Sequence, residues 1–307
     1  MDKTNEVLKY IPFNIRSLFS NLSDYEWKNL NEISFISGQA ITILVCGKRL
    51  YLGKEGTSFN CEKAVRITKN DIERIFELIT DSSVYAFNRF INEGFLTLKG
   101  GHRVGLTGNC VCADGKIINV NSINAINFRI THNHKYNYNL IFDEICSNKG
   151  IYNSIIISPP GCGKTTLLRG IASYLGGLNK NNIISKCVLI DERYEIAACY
   201  DGQATLDVGN VTAVISGCDK SIAIPLVVRS MAPDIIIVDE LASEKDIIAV
   251  EYAIASGCSV IASTHGNDEK LNRLVYYNYT DLFQKIIILS SKNGPGTVEK
   301  IIGANKW

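Results

Sequence analysis

A lysine and a threonine follow the second of two glycines in Ser158, Pro159, Pro160, Gly161, Cys162, Gly163, Lys164, Thr165 and Thr166. Residue types in that order suit one task, the cradling of a polyphosphate. Gly161 and Gly163 lack a Cβ, so the backbone can turn sharply and set its N–H groups against phosphate oxygens. Lys164 would reach the β- and γ-phosphates, and Thr165 would place a hydroxyl on Mg²⁺. The pattern G-x-x-x-x-G-K-[ST] is met except at its first glycine, where Ser158 stands.

Two further groups of acids could serve the same chemistry. In PDIIIVDE an apolar run ends in Asp239 and Glu240. Asp239 would hold the Mg²⁺ shell, and Glu240 would orient and deprotonate an attacking water. Asp191, Glu192 and Glu195 follow another apolar run, CVLID, with Arg193 among them. A third run, CSVIAS, ends in Thr264 and His265, a pair suited to sensing a γ-phosphate. Arg103 in GGHRVGLTG and Arg129 in NFRI are candidates for an arginine supplied to that phosphate from another domain or subunit, with surface pairing as the simpler role.

These side chains need strands ending at one edge and helices starting there. Ile155–Ile157 suits a strand buried on both faces, and Leu167, Leu168, Ile171, Ala172 and Leu175 repeat at helical spacing directly after the loop, pointing a positive helix end at the anion. Gly176-Gly177 predicts its stop. CVLID, IIIV and CSVIAS read as further buried strands. Helices are expected around Ser221–Met231, where Pro225 implies a kink or a late start, and from a Ser243–Asp246 cap to Gly257; a further helix and the strands KIIILS and TVEKII follow in the tail. Alternating buried strands and helices after residue 150 predict an α/β domain with a doubly wound, mainly parallel sheet, whose ligands bind at the carboxyl ends of its strands.

The preceding part changes character. Short helices over Glu6–Leu30 give way to strands in EISFIS, AITILV and KRLYLG, a helix capped by Thr68 and Asp71, a second helical run over Val84–Ile91, and a long hairpin turning at Asp114-Gly115. This predicts a smaller α+β domain over residues 1–131, a polar linker at 132–139 and the α/β domain over 140–307. His132 and His134 are spaced as metal ligands could be, but no third ligand stands nearby, so they read as solvated loop residues.

With 307 residues, 46% hydrophobic and 21% charged, the chain has the composition of a soluble globular protein. A formal net charge of +1 provides no electrostatic footprint for nucleic acid or an anionic membrane. The N-terminus lacks the features of a signal peptide, and no apolar run is long enough to span a bilayer, so a cytoplasmic protein is expected. Ten cysteines without a CxxC, several inside apolar runs, predict reduced, buried thiols.

The phosphate loop, the acidic box of Asp191, Glu192 and Glu195, RSMAPDIIIVDE and AIASGCSVIASTHG together resemble the ATPases of type II and type IV secretion and the pilus-retraction motors. Within that superfamily GGHRVGLTG, INFRI, IDERYEIA and the Asp239-Glu240 pair look like the stage III sporulation AA family of endospore-forming bacteria, over roughly Phe95 to Gly266. The resemblance implies a RecA-like domain binding ATP and Mg²⁺, and a homo-hexameric ring in which the first domain sits against a neighbour's nucleotide, giving Arg103 and Arg129 a role there. It also implies a cytoplasmic motor of the mother cell, docked on integral-membrane partners at the channel to the forespore. Glu192, Glu195 and His265 would join Lys164 and Glu240 in catalysis. Two other readings use the same fold: an ATP-dependent protein binding single-stranded nucleic acid, and a nucleotide-gated assembly platform with little turnover.

Overall fold

A computed structural model describes residues 4–80, 94–132, 138–147, 150–177, 185–200, 202–266 and 281–303. The chain divides into two compact units, Met1–His132 and Asn133–Trp307.

The first unit opens with short helical pieces, Thr4–Leu8, Phe13–Arg16, Ser17–Asn21 and Asp24–Lys28. Seven antiparallel strands follow: β1 (Leu30–Ile36), β2 (Thr42–Val45), β3 (Lys48–Gly53), β4 (Gly56–Ser58), β5 (Leu96–Thr97), β6 (Arg103–Ala113) and β7 (Lys116–Arg129), in the order β4-β3-β2-β1-β7-β6-β5. Alternation along β1 sends Ile33 and Phe35 inward, and Phe35 meets Phe128 of β7 edge to face at 5.9 Å. Asp114 (φ 51°) and Gly115 (φ 72°) both take the left-handed conformation, which a two-residue hairpin turn matching the strand twist requires. The helix Lys69–Thr80 begins as its cap predicts, the Asp71 N–H on Thr68 Oγ1 (3.2 Å) and the Thr68 N–H on Asp71 Oδ2 (3.0 Å). The expected run over 84–91 lies outside the described residues.

Most of the expected linker, 133–137 with His134, also lies outside them. At its ends, the His132 ring bonds the Leu30 carbonyl (Nε2 to O, 2.8 Å). Tyr138 is buried and precedes a helix, Asn139–Ile145, whose single short apolar face the periodicity did not announce.

In the second unit a two-stranded ribbon, β8 (Cys146–Ser147) and β9 (Gly150–Ile151), leads into a seven-stranded sheet. Its members are β10 (Ser154–Ser158), β11 (Cys187–Asp191), β12 (Thr212–Ser216), β13 (Ile235–Val238), β14 (Ser259–His265), β15 (Lys285–Ser290) and β16 (Thr297–Gly303), in the order β12-β11-β13-β14-β10-β15-β16. All neighbours are parallel except β15 and β16. Both faces are covered. Ile155 and Ile157 pack with Ala223, Ile224 and Val227 of one helix and Ala249, Val250 and Ala253 of another, while Ile156 packs with Leu167, Leu168, Ile171 and Leu175 and with Ile141 and Ile145. Continuous apolar strands are what a two-sided burial demands.

Three local expectations change. The helix Lys164–Leu175 does end at Gly176, but at φ −81° rather than in the left-handed cap. Glycine is required there by packing, since a Cβ would lie 2.1 Å from Thr212 Oγ1. The helix containing Pro225 starts earlier, at Lys220, with Asp219 capping the Ser221 N–H at 2.8 Å, and it runs through the proline to Met231. All ten cysteines are free, yet Cys46, Cys61, Cys110 and Cys112 are exposed. Cys110 and Cys112 lie on the stretch of β6 near the hairpin turn, most of which is exposed. Cys187, by contrast, is buried in β11, and burial pushes its thiol up to about 12.

The Ser243–Asp246 capping box starts the helix Glu244–Ala255, and Asp246 also accepts the Ala242 N–H at 2.9 Å. Asp246→Ala would leave these N–H groups without their acceptor, so a loss of about 1–3 kcal/mol in the denaturant-unfolding free energy of the second unit is expected.

Candidate functional site

The strand order positions the site. β14 lies between β10 and β13, pairing Ser158 with His265 on one side and Val238 with Ala262 on the other. β13 in turn pairs with β11, Val238 opposite Ile190. The Ser158 loop, His265, the Asp239-Glu240 pair and the Asp191 turn therefore emerge at one carboxyl edge.

Within the loop, Gly161 and Gly163 take φ of 76° and 88°, a conformation open to glycine. Gly163 starts the helix Lys164–Leu175. A Cβ on Gly163 would also stand 3.1 Å from the nitrogen of Gly296, whose N–H donates to the Cys162 carbonyl at 2.9 Å. The β15–β16 turn thus braces the loop, a contact no local motif announces. Pro159, Pro160 and Gly161 are exposed, Cys162 is buried, and Thr165 and Thr166 are half-buried. Ser158 is fully buried, its hydroxyl donating to the Pro159 carbonyl at 2.9 Å.

Lys164 is buried and turned back along the loop. Its Nζ lies 3.2 Å from the Ser158 carbonyl, 3.3 Å from the Pro159 carbonyl and 3.0 Å from His265 Nδ1. Burial pulls the ammonium below its ordinary pKa, against the opposing attraction of Asp239, Cys162, Glu240 and Glu195.

Asp239 accepts the Thr165 hydroxyl on Oδ2 at 3.2 Å and the Ser263 hydroxyl on Oδ1. Burial raises its pKa, and the nearby carboxylates of Glu195 and Glu240 add to this. A desolvated carboxylate beside a hydroxyl suits a hard cation: Mg²⁺ takes one or two protein oxygens and completes its octahedron with phosphate and water. Thr165 and Asp239 would hold it, supplying it as the counter-charge for a polyphosphate. Asp239→Asn should therefore stabilise the fold at neutral pH while removing the metal ligand. We expect a rise in melting temperature of about 2–4 °C, as about 1 kcal/mol produces for a domain of this size. Since the ionised form is the one burial penalises, that advantage is present at neutral pH and fades as pH falls through the raised folded-state value. Calorimetry at two pH values measures both.

Glu240 adopts φ 49°, and its N–H donates to Ser263 Oγ at 3.0 Å. Its carboxylate spans two partners, Arg193 Nη1 on Oε2 at 2.9 Å and His265 Nε2 on Oε1 at 3.2 Å. Ser263 thereby ties Asp239 to the Glu240 backbone. It stands two residues before His265 on β14, but its task could be read only once β14 was known to lie against β13.

The acidic box divides. Asp191 accepts the N–H groups of Glu195 (2.7 Å), Ile196 (3.2 Å) and Ala197 (2.9 Å), so both of its carboxylate oxygens hold a turn, while the residue lines a small recess with Glu192, Arg193, Lys220, Asp239 and Glu240. Glu192 pairs with the buried Lys220, and Glu195 is close enough to act electrostatically on Lys164 and Asp239. Arg169, from the loop helix, donates to the carbonyls of Ile196 (2.6 Å) and Glu195 (2.7 Å) and fastens this turn to the phosphate-loop helix. Neither Arg169 nor Lys220 stands out in the sequence, because each serves a backbone or side chain distant along the chain.

Arg103 and Arg129 belong to the first unit, where they are register partners across β6 and β7. Arg103 lies over the Phe95 ring at 4.5 Å, and Arg129 Nε is 3.8 Å from Glu32 Oε1. With Gly105 and Asn127 they line a recess of about 370 Å³.

A mainly parallel sheet with a strand inserted between the lysine-bearing loop and the acid-bearing strand, covered by helices on both faces, defines a RecA-like α/β fold, the fold of secretion ATPases. Solved structures agree on the fold: the ATPase DotB of Legionella pneumophila (16% identity, 90% of this chain and 75% of that one, TM-score 0.53) and the pilus retraction motor PilT with bound ADP (14% identity, 85% and 74%, TM-score 0.54). The chain belongs to the family described as Sporulation stage III, protein AA, whose model matches residues 1–306. A curated relative is the stage III sporulation protein AA of Bacillus subtilis (strain 168), 29% identical over 304 residues, 97% of this chain and 94% of that protein.

Proposed function

We propose that the chain is a Mg²⁺-dependent ATP hydrolase that performs mechanical work in sporulation. The observation that carries this reading is the convergence of Lys164, the Thr165–Asp239 oxygen pair at 3.2 Å and Glu240 on one sheet edge. Lys164 and the loop N–H groups would stabilise phosphate charge, and Thr165 and Asp239 would hold Mg²⁺. Glu240 would take the proton of the attacking water, with Glu192, Glu195 and His265 around it. Ser158 in place of glycine is compatible with the loop, its side chain being accommodated at full burial.

Sporulation enters through the family, and the likeness of fold to secretion motors supports a homo-hexameric ring. Arg103 and Arg129 would then act on a neighbouring subunit's nucleotide. We assign the work to the channel between mother cell and forespore, with docking on membrane partners; no helix among the described residues is long and apolar enough to cross a membrane. The test is phosphate release from ATP with and without Mg²⁺, with sizing of the full chain in parallel. Mg²⁺-dependent turnover accompanied by assembly is expected; ATP binding without turnover would favour the assembly platform instead, and salt-sensitive binding of single-stranded DNA the nucleic-acid reading.

A further inference from the structure

Arg193 has no place in the phosphate loop or its metal pair, yet it makes a 2.9 Å contact to the carboxylate assigned as base. The backbones on both sides are fixed. Asp191 gathers the N–H groups of residues 195–197, and Ser263 anchors the Glu240 N–H. What can move is the pair of side chains. Arg193 is 61% exposed and Glu240 26%. The other carboxylate oxygen is engaged by His265 Nε2, and the opposite edge of that ring meets Lys164 Nζ at 3.0 Å. An ammonium has donors only, so His265 Nδ1 must accept and the ring proton must sit on Nε2, donating to Glu240. Lys164, His265, Glu240 and Arg193 form one continuous chain.

We infer that Arg193 and His265 together clamp Glu240 in a resting position, with Arg193 a positioning residue whose release sets the rate at which Glu240 turns to its water. This regulation rests on the reading of the site as an ATP hydrolase. The two halves of the clamp differ. The His265 half answers to Lys164: phosphate oxygens that draw the ammonium away free Nδ1 and allow the ring another tautomer. The Arg193 half is independent of Lys164 and opens toward solvent, where another charged group, from a partner or another copy of the chain, can compete for the guanidinium.

The test compares the full-length wild type with Arg193→Ala and Arg193→Lys, measuring kcat for phosphate release at saturating Mg²⁺-ATP and affinity for a fluorescent ATP analogue. Arg193→Ala should raise kcat about two- to five-fold, the factor that an exposed ion pair is worth, with affinity unchanged. Arg193→Lys, which keeps the cation, should stay near wild type. An unchanged or lower kcat in Arg193→Ala, or an equal rise in Arg193→Lys, overturns the clamp. Binding in the wild type with no gain in Arg193→Ala defeats the clamp alone, whereas a wild type that neither binds nor hydrolyses ATP defeats the underlying reading. Nitrogen-15 shifts of the His265 ring supply a second readout: a neutral ring protonated at Nε2 is expected, and a proton on Nδ1 would break the chain of contacts.

Discussion

Glu240→Gln is expected to lower ATP turnover by about 10²- to 10⁴-fold while leaving nucleotide affinity within about two-fold of wild type, the range that removal of a general base spans. Glutamine keeps the shape and one acceptor oxygen, so the contact from His265 Nε2 can persist, and the φ of 49° and the N–H bond to Ser263 are backbone properties the substitution does not alter. Proton acceptance is lost. Arg193 loses an anionic partner, but it is mostly exposed and water can replace that contact. Single-turnover hydrolysis alongside equilibrium binding separates the two quantities. Turnover near the wild-type rate would remove Glu240 from the role of base and direct attention to Glu195, whose charge already bears on Lys164 and Asp239.

Local order carried the site's polar ends, and long-range pairing carried the rest. The loop from Ser158 to Thr166 and the Asp239-Glu240 pair are legible because each is a run of neighbours whose chemistry is written in sequence order. So are the Thr68–Asp71 and Ser243–Asp246 caps, which close over three residues. The turn that engages Asp191 was hidden for the opposite reason. Tyr194 (φ 56°) and Ala198 (φ 48°) turn the chain back in the left-handed conformation without a glycine to mark it, and that turn presents the N–H groups of residues 195–197 to the carboxylate. A cluster of acids at a strand end looks like an open ligand set until the backbone is seen to consume one of them. Similarly, buried alternation predicted a parallel sheet but not that β14 enters between β10 and β13, from which the tasks of Ser263 and His265 follow, nor that β11 pairs with β13, which brings Arg193 to Glu240. Gly296 against the phosphate loop is more remote still, since it depends on β15 adding beside β10 and β16 returning antiparallel.

Lys164→Ala is expected to abolish measurable nucleotide binding while the chain stays folded. An ammonium donating to phosphate makes charge-assisted hydrogen bonds, each contributing about 1.5–3 kcal/mol, so losing two of them weakens affinity by about 10²- to 10⁴-fold. The fold should tolerate the change because burial already works against this ammonium: its pKa is pulled down, so the charged form is penalised in the folded protein at neutral pH and that penalty disappears with the side chain. What is lost locally is the donor to the Ser158 and Pro159 carbonyls, and Pro159 lies at the exposed side of the loop where water can take over. Removing Lys164 also releases His265 Nδ1, so the neutral ring is no longer obliged to carry its proton on Nε2. Isothermal titration with ATP and Mg²⁺, beside a thermal melt of the same sample, distinguishes a lost phosphate contact from a lost fold. Wild-type affinity in a well-folded Lys164→Ala protein would mean that the Ser158–Thr166 loop does not hold the phosphates, and the hydrolase reading would fall with it.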